Sequence, residues 1–197
     1  MTSAPISDDA LDTILRGAHT HHRWQDKPVG PTLLMAIHDL MRWGPTSANC
    51  SPARIVFVVS QAAKARLKPH LLEGNVAKTM AAPATAIIGF DLDFAERIPF
   101  LFPHEKEAKD WFRDPVLAER VAFRNGSLQG GYFIVAARAL GLDCGPMSGF
   151  DNAGVDREFF ADSRVKSNFL CNLGHGDPAG VRPRNPRLSF DEACRIL

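Results

Sequence analysis

The chain has 197 residues, of which 45% are hydrophobic, with 23 Lys and Arg against 22 Asp and Glu and a formal net charge of +1. That length suits one domain, residues 1–197, with a sizeable core, and near-neutrality removes any bulk electrostatic case for nucleic acid or an anionic membrane. No apolar run approaches the roughly 20 residues of a membrane span, the start lacks the basic and apolar regions of a signal peptide, and Cys50, Cys144, Cys171 and Cys194 form no CxxC pair, so they read as free thiols of a cytoplasmic protein.

Residues 8–18 read as a first helix, with Leu11, Ile14, Leu15 and Ala18 at helical spacing and Ser7 as N-cap. A polar loop follows, His19-Thr20-His21-His22-Arg23-Trp24, which concentrates potential anion donors. Pro31 suits the first turn of a second helix, with Leu34, Ile37, Leu40 and Met41 on one face, and Gly44-Pro45 should stop it. Thr46 to Pro52 is a loop of small hydrogen-bonding residues. Arg54–Ser60 is a strand apolar on both faces, hence expected in the sheet interior. Residues 61–72 read as a helix weakened by Pro69, and Ala84–Phe90 as a second buried strand.

Residues 91–115 place Phe94, Phe100, Phe102, Trp111 and Phe112 among charges and prolines without clear period. They suit either a lid over a site or a short helical excursion packed on the core. Asp114-Pro115 supplies an N-cap and first helical residue for a helix that runs into a stretch apolar or small on almost every side: Leu128, Gly130, Gly131, Tyr132, Phe133, Ile134, Val135. Such a helix is expected to be central and buried all round. Gly141 suits its left-handed stop, and Cys144 to Phe150 reads as an unobstructed loop whose bare N–H groups could face a flat ligand. Asn168–Leu173 is a third strand, and Ser189-Phe190-Asp191-Glu192 has the pattern of a capping box. Helices in excess over a small sheet give an α+β class.

No GxGxxG follows a strand and opens a helix, and there is no Walker A or GxSxG motif. The His19–His22 cluster admits three readings. It is a solvated loop, a partial metal site short of the roughly three or four ligands zinc requires, or a phosphate cradle built from His, Arg and loop amides. Arg182, Arg184 and Arg187 form a second basic group near the other end, which is either a solvated tail or the complement of the first. Two basic loops with Gly- and Ser-rich loops between them suit a flat, phosphorylated cofactor.

Five segments then carry a resemblance: Trp24-Gln25-Asp26-Lys27-Pro28-Val29, Gly44-Pro45-Thr46-Ser47-Ala48-Asn49, Gly74-Asn75-Val76-Ala77-Lys78-Thr79, Gly141 to Asp151, and Pro186-Arg187-Leu188. In this order they resemble the FMN-dependent nitroreductase family, and within it the malonic semialdehyde reductase group of pyrimidine degradation. The resemblance implies an α+β fold with a small mixed sheet flanked by helices. It also implies an interleaved homodimer with flavins at the subunit interface, and NADH or NADPH as reductant. It puts the flavin phosphate near His19 and Thr20, where relatives often carry arginine or lysine at His19 and His22, with Arg23 adjacent and Arg187 and Arg184 from the C-terminal end. Pro45, Thr46, Ser47 and Asn49 fall on the family's flavin loop. Asn75 and Lys78 fall beside the pyrimidine edge, and Pro146, Met147, Ser148 and Gly149 over the ring. Many relatives have Glu at the position of Ser148. On this reading no side chain is catalytic in its own right: FMN carries the hydride, and Lys78 and the Ser148 N–H tune it. The implied reaction is reduction of malonic semialdehyde to 3-hydroxypropionate, the alternatives being reduction of nitroaromatics or quinones, or a non-catalytic flavin-binding dimer. A substrate carboxylate would call for a further cation, for which Lys106, Lys109, Arg124 and His104 are candidates.

Overall fold

The structure is a computed structural model and describes residues 4–197. The chain opens with α1 (Asp8–Leu11), where Ser7 Oγ accepts the Ala10 N–H at 3.2 Å as the expected cap, and widens into a π turn over Asp12–Arg16. In α2 (Pro31–Met41) the proline occupies the first turn and Leu34, Ile37 and Met41 point inward. Leu40, expected on the same face, is 48% exposed. It lies at the rim of the apolar stripe, on a side that nothing among the described residues covers.

Four strands form one sheet in the order β1-β2-β4-β3: β1 (Ala53–Val58), β2 (Ala84–Asp91), β3 (Asp143–Met147) and β4 (Val165–Gly174). Every ladder is antiparallel, so the sheet is not mixed. The expected strands all form, with β1 corrected from interior to edge. Its two faces are covered, Ile55 and Phe57 packing on one core cluster and Val56 and Val58 on the other. Covering both faces says nothing about whether a strand has two neighbours. Cys144 to Met147, expected as loop, pairs with β4 from Asp143↔Gly174 to Met147↔Leu170. Pro146, which lacks an N–H, is tolerated there because β3 is itself an edge strand.

Helices cover both faces. α6 (Pro115–Ala139) is one continuous helix of 25 residues, capped by Asp114 as expected and followed by Gly141 at φ +79°. It lies with α2 on one face, against Ala86 and Ile88 of β2. A methyl group on Gly130 would stand 2.5 Å from the Phe169 ring, so this helix needs the missing side chain to sit so close to the sheet. It is not buried all round: Phe123 is 52% exposed and Leu128 44%. The sheet and α2 occupy only part of its circumference. On the other face, Ile87 of β2 meets α3 (Gln61–Leu67), α4 (Glu73–Ala81) and α7 (Asn152–Phe159). The helix expected over 61–72 therefore stops before Pro69, and α4 and α7 are additional. Residues 94–112 form short helical turns, including α5 (Ile98–Leu101), whose Phe94, Ile98 and Ala108 seal against Ala118, Val121 and Ala122 of α6. This is a packed excursion, although Phe100 and Trp111 remain exposed on it. The chain ends in α8 (Phe190–Ala193), whose capping box is formed by Ser189 and Glu192. No helix among the described residues is long and apolar enough to cross a membrane.

Candidate functional site

The loop from His19 to Gln25 is laced between β3 and the turn after β4. The His21 N–H donates to Cys144 O at 3.0 Å, the Gln25 N–H to His175 O at 2.8 Å and the Asp177 N–H to Arg23 O at 3.0 Å. Lacing sorts the three histidines. His21 turns inward, buried, with Nε2 3.3 Å from Asp143 Oδ1. His19 and His22 face outward into two adjoining recesses. One, of about 390 Å³, is lined by His19, Thr20, His22, Arg138, Arg182, Arg184 and Arg187. The other, of about 460 Å³, is lined by His22, Arg182 and one side of α4: Gly74, Ala77, Lys78 and Ala81. Those four recur at i, i+3, i+4 and i+7, so they form a single helix stripe, on which Lys78 is the only bulky side chain. His22 and Arg182 belong to both recesses and make them one trough.

No carboxylate lines either recess among the described residues. The cations therefore act on each other. Lys78 is held below its ordinary pKa, first by burial and then by Arg182; His22 is lowered by burial, then by Lys78, Arg182 and His21. Arg138, which reaches in from the last turn of α6, donates to Ile14 O at 3.2 Å but leaves its buried Nε without a partner. An arginine with an unpaired Nε, lining a trough whose only charged side chains are basic, fits a bound polyanion.

Around the Lys78 end the sequence-derived residues converge. Asn75 Nδ2 donates to Gly149 O at 2.7 Å, and the Leu72 N–H reaches the same carbonyl at 3.1 Å. A Cβ on Gly149 would lie 2.5 Å from that amide, so a side chain there would push Asn75 out of its bond. Pro146 is half-buried, Met147 is buried behind and Ser148 is exposed at the surface. At the basic end, Arg184 Nη2 donates to Arg16 O and Ala18 O at 2.7 and 3.0 Å, clamping the loop that carries His19. Arg187 lines the trough with its guanidinium folded onto the Asn185 and Pro186 carbonyls. Arg23 points elsewhere: it pairs with Asp177 at 2.9 Å, outside both recesses.

Pro45, Thr46, Ser47 and Asn49 are not brought to the trough. Their loop is anchored on α6, where Asn125 Oδ1 accepts the Ser47 N–H at 2.9 Å, and on α5, where Asn49 Nδ2 donates to Leu101 O at 2.8 Å. Asn125 precedes Arg138 by 13 residues (138 − 125), which separates the two along the helix by about 20 Å. Sequence reasoning missed Arg138 and left Arg182 and His22 out of the assigned site. A solitary arginine near the end of an apolar helix was the available signal for Arg138.

The model of the nitroreductase family matches residues 2–175. A protein of Stenotrophomonas maltophilia strain K279a provisionally named NADH dehydrogenase/NAD(P)H nitroreductase is 63% identical over 188 residues, 95% of each chain. One of the same provisional name from Burkholderia lata is 61% identical over 192 residues, 97% of this chain and 98% of the other. Among solved structures, a provisionally named nitroreductase in complex with FMN from Exiguobacterium sibiricum has the same fold at a TM-score of 0.85 and 16% identity, covering 99% of this chain and 100% of that one. A gut-bacterial enone reductase does so at 0.84 and 18%, covering 98% and 100%. This chain belongs to the nitroreductase family.

Proposed function

We propose that the protein is an FMN-dependent NAD(P)H oxidoreductase that reduces a small aldehyde acid, malonic semialdehyde, to 3-hydroxypropionate, working as a homodimer in the cytoplasm. The observation that carries the flavin reading is the carboxylate-free basic trough leading to Lys78, Asn75 and the Ser148–Gly149 loop. The S. maltophilia and B. lata relatives carry nicotinamide-dependent reductase names, and the E. sibiricum structure holds FMN. The substrate rests on the five sequence segments that resemble the malonic semialdehyde reductase group. The free cysteines fit a reducing compartment.

When bound, FMN supplies hydride transfer from NAD(P)H to the acceptor. The chain's own groups bind and orient it. Arg138, Arg182, Arg187, His19 and Thr20 hold the phosphate, with Arg184 fixing their loop. Asn75, its Nδ2 engaged by Gly149, offers Oδ1 to a ring N–H. Lys78 would place positive charge beside the edge that becomes electron-rich on reduction, and the Ser148 N–H would donate to the ring. Thr46, Ser47 and Asn49, remote from the trough within one chain, would reach the flavin of the second subunit in the homodimer.

The test is spectroscopic and kinetic. The protein should be yellow and release FMN on denaturation, and it should turn over malonic semialdehyde with NADH or NADPH faster than it does a nitroaromatic. Release of FAD, or no flavin after reconstitution, would end the reading. A preference for the nitroaromatic or a quinone favours the second reading, a nitro- or quinone reductase, for which the relatives' names speak.

A further inference from the structure

We propose that a buried hydrogen-bonded chain, Thr85–Asn172–Thr79–Met147, is the positioning device that sets Lys78 and Ser148 relative to each other across the flavin site. Thr85 Oγ1 donates to Asn172 Oδ1 at 2.7 Å, Asn172 Nδ2 donates to Thr79 Oγ1 at 3.3 Å, and Thr79 Oγ1 donates to Met147 Sδ at 3.6 Å. Thr79 is 1% exposed, and Thr85 and Asn172 are 0%. The chain starts in β2, crosses β4, enters α4 and ends in β3. It terminates on the residue after Lys78 and the residue before Ser148.

Stability alone does not ask for these groups. Replacing every partner in a buried polar set by apolar groups of the same shape is nearly neutral, so a fully satisfied polar set inside an apolar core specifies geometry instead. The hydroxyl of Thr79 has one proton, given to the sulfur, and accepts from Asn172, so the order of donors runs one way. That fixes the rotation of α4 about its own axis. The helix needs such a hold: it is nine residues long and has no side-chain N-cap. At its other end buried Lys64 donates to the Met80 and Ala82 carbonyls, which fixes α4 along its axis; its rotation is held by Thr79 from inside the core together with the Asn75–Gly149 bond and the Trp24 Nε1 bond to Lys78 O at its surface. A small rotation would swing Lys78 out of the trough while leaving the phosphate-binding residues on other elements where they are.

The inference rests on Lys78 and Ser148 facing the flavin. The experiment measures the midpoint potential of bound FMN and the thermal midpoint for four proteins: wild type, Lys78→Ala, Thr79→Ser, and the combined Thr79→Val/Thr85→Val/Asn172→Leu variant. The combined variant should stay folded, keep FMN through the phosphate recess, and show an about tenfold change in the ratio of affinities for reduced and oxidised FMN, which lowers a two-electron potential by about 30 mV. Thr79→Ser, which keeps the hydroxyl, should retain the wild-type potential. A wild-type potential in the combined variant, with a lowered one in Lys78→Ala, overturns the positioning role and leaves the site reading intact. An unchanged potential in Lys78→Ala overturns the flavin reading of Lys78 and this inference with it. If the combined variant does not fold, the volume-conserving Met147→Leu, which removes only the final acceptor, decides in the same way: a lowered potential supports the role and a wild-type one refutes it.

Discussion

The pKa values of Lys78 and His22 are lowered first by burial and then by neighbours of the same sign. With no carboxylate in the trough, each added cation makes the next harder to keep charged, and the energy so stored is released when an anion enters. Lys78→Ala should therefore keep its FMN, because the phosphate contacts lie on other elements. A charged hydrogen bond is worth about 1.5–3 kcal/mol, and partial exposure puts Lys78 at the low end, so the flavin potential should fall by about 30 mV. An unchanged potential in spectroelectrochemical titration removes Lys78 from the site. His22 makes a prediction for the flavin-free protein. Its folded pKa is lowered below the unfolded value of about 6.5. As pH falls from there toward the folded pKa, the unfolded chain binds more protons than the native one, so stability drops and then levels off. The urea midpoint of wild type should show this decline. His22→Gln should lose His22's share of it, and the part that persists belongs to His175, whose pKa is lowered chiefly by burial. A His22→Gln profile that superimposes on wild type would exclude His22 as a source of the linkage.

The loop between α2 and β1 shows how one element disciplines another. Ala48, Asn49 and Ser51 have φ of 49°, 48° and 38°, broken only by Cys50 at −69°, left-handed values that residues with side chains seldom adopt unless held. Helix α6 holds it: Asn125 Oδ1 takes the Ser47 N–H and Gln129 Oε1 takes the Ala53 N–H at 2.8 Å, both from buried side chains. Asn125→Leu leaves the Ser47 N–H unpaired and should cost about 1–3 kcal/mol, read as a lower urea midpoint at constant m-value; no change would mean the loop is held without it. The segment 94–112 carries three of the four cations proposed for a substrate carboxylate, with Arg124 on α6 as the fourth. Lys109 is committed to Glu96 at 2.6 Å, and the His104 ring packs tilted at 57° with its centroid 4.0 Å from that of Phe102. Lys106 and Arg124, both exposed, make no ion pair among the described residues and remain the candidates for a substrate carboxylate. Arg124→Ala or Lys106→Ala should raise KM for malonic semialdehyde several-fold and leave an uncharged quinone unaffected. Equal losses on both substrates, for both variants, would argue for the nitro- or quinone-reductase reading.

At the scale of the molecule, one chain leaves large apolar side chains uncovered. Phe123 and Leu128 on α6, Met35 and Leu40 on α2, and Trp43 just after it are large apolar side chains left exposed, Trp43 at 77%. A cleft of about 660 Å³ runs between α2 and β1, the edge strand. Exposed apolar surface on this scale marks an association face. The separation of the Thr46–Asn49 loop from the basic trough points the same way, since a flavin touched by both sets needs two copies of the chain. Leu128→Glu should shift sedimentation from dimer to monomer and take FMN occupancy with it. A monomer that retains its flavin would show that one chain suffices.

The sequence by itself determined whatever depends on near neighbours along the chain. Ser7, Asp114-Pro115, Gly141 and the Ser189–Glu192 box set helix ends through bonds spanning a few residues, and the apolar runs at 55–59 and 84–90 could only be strands with both faces covered. The basic character of both ends was equally legible, and the segments that carry the family resemblance hold Asn75 and Gly149, which the fold brings into contact. Only the tertiary structure decided which strand ends up at an edge, because sheet order is a property of partners far apart in sequence. Pairing with β4 alone turned Cys144–Met147 from a loop into a strand. Packing also separated His21 from His19 and His22, tied Arg23 to Asp177, and brought Arg138 into the trough from a helix whose composition announced only burial. These outcomes share one physical reason: a side chain's role is fixed by what stands opposite it in space, and adjacency in the chain does not say what that will be.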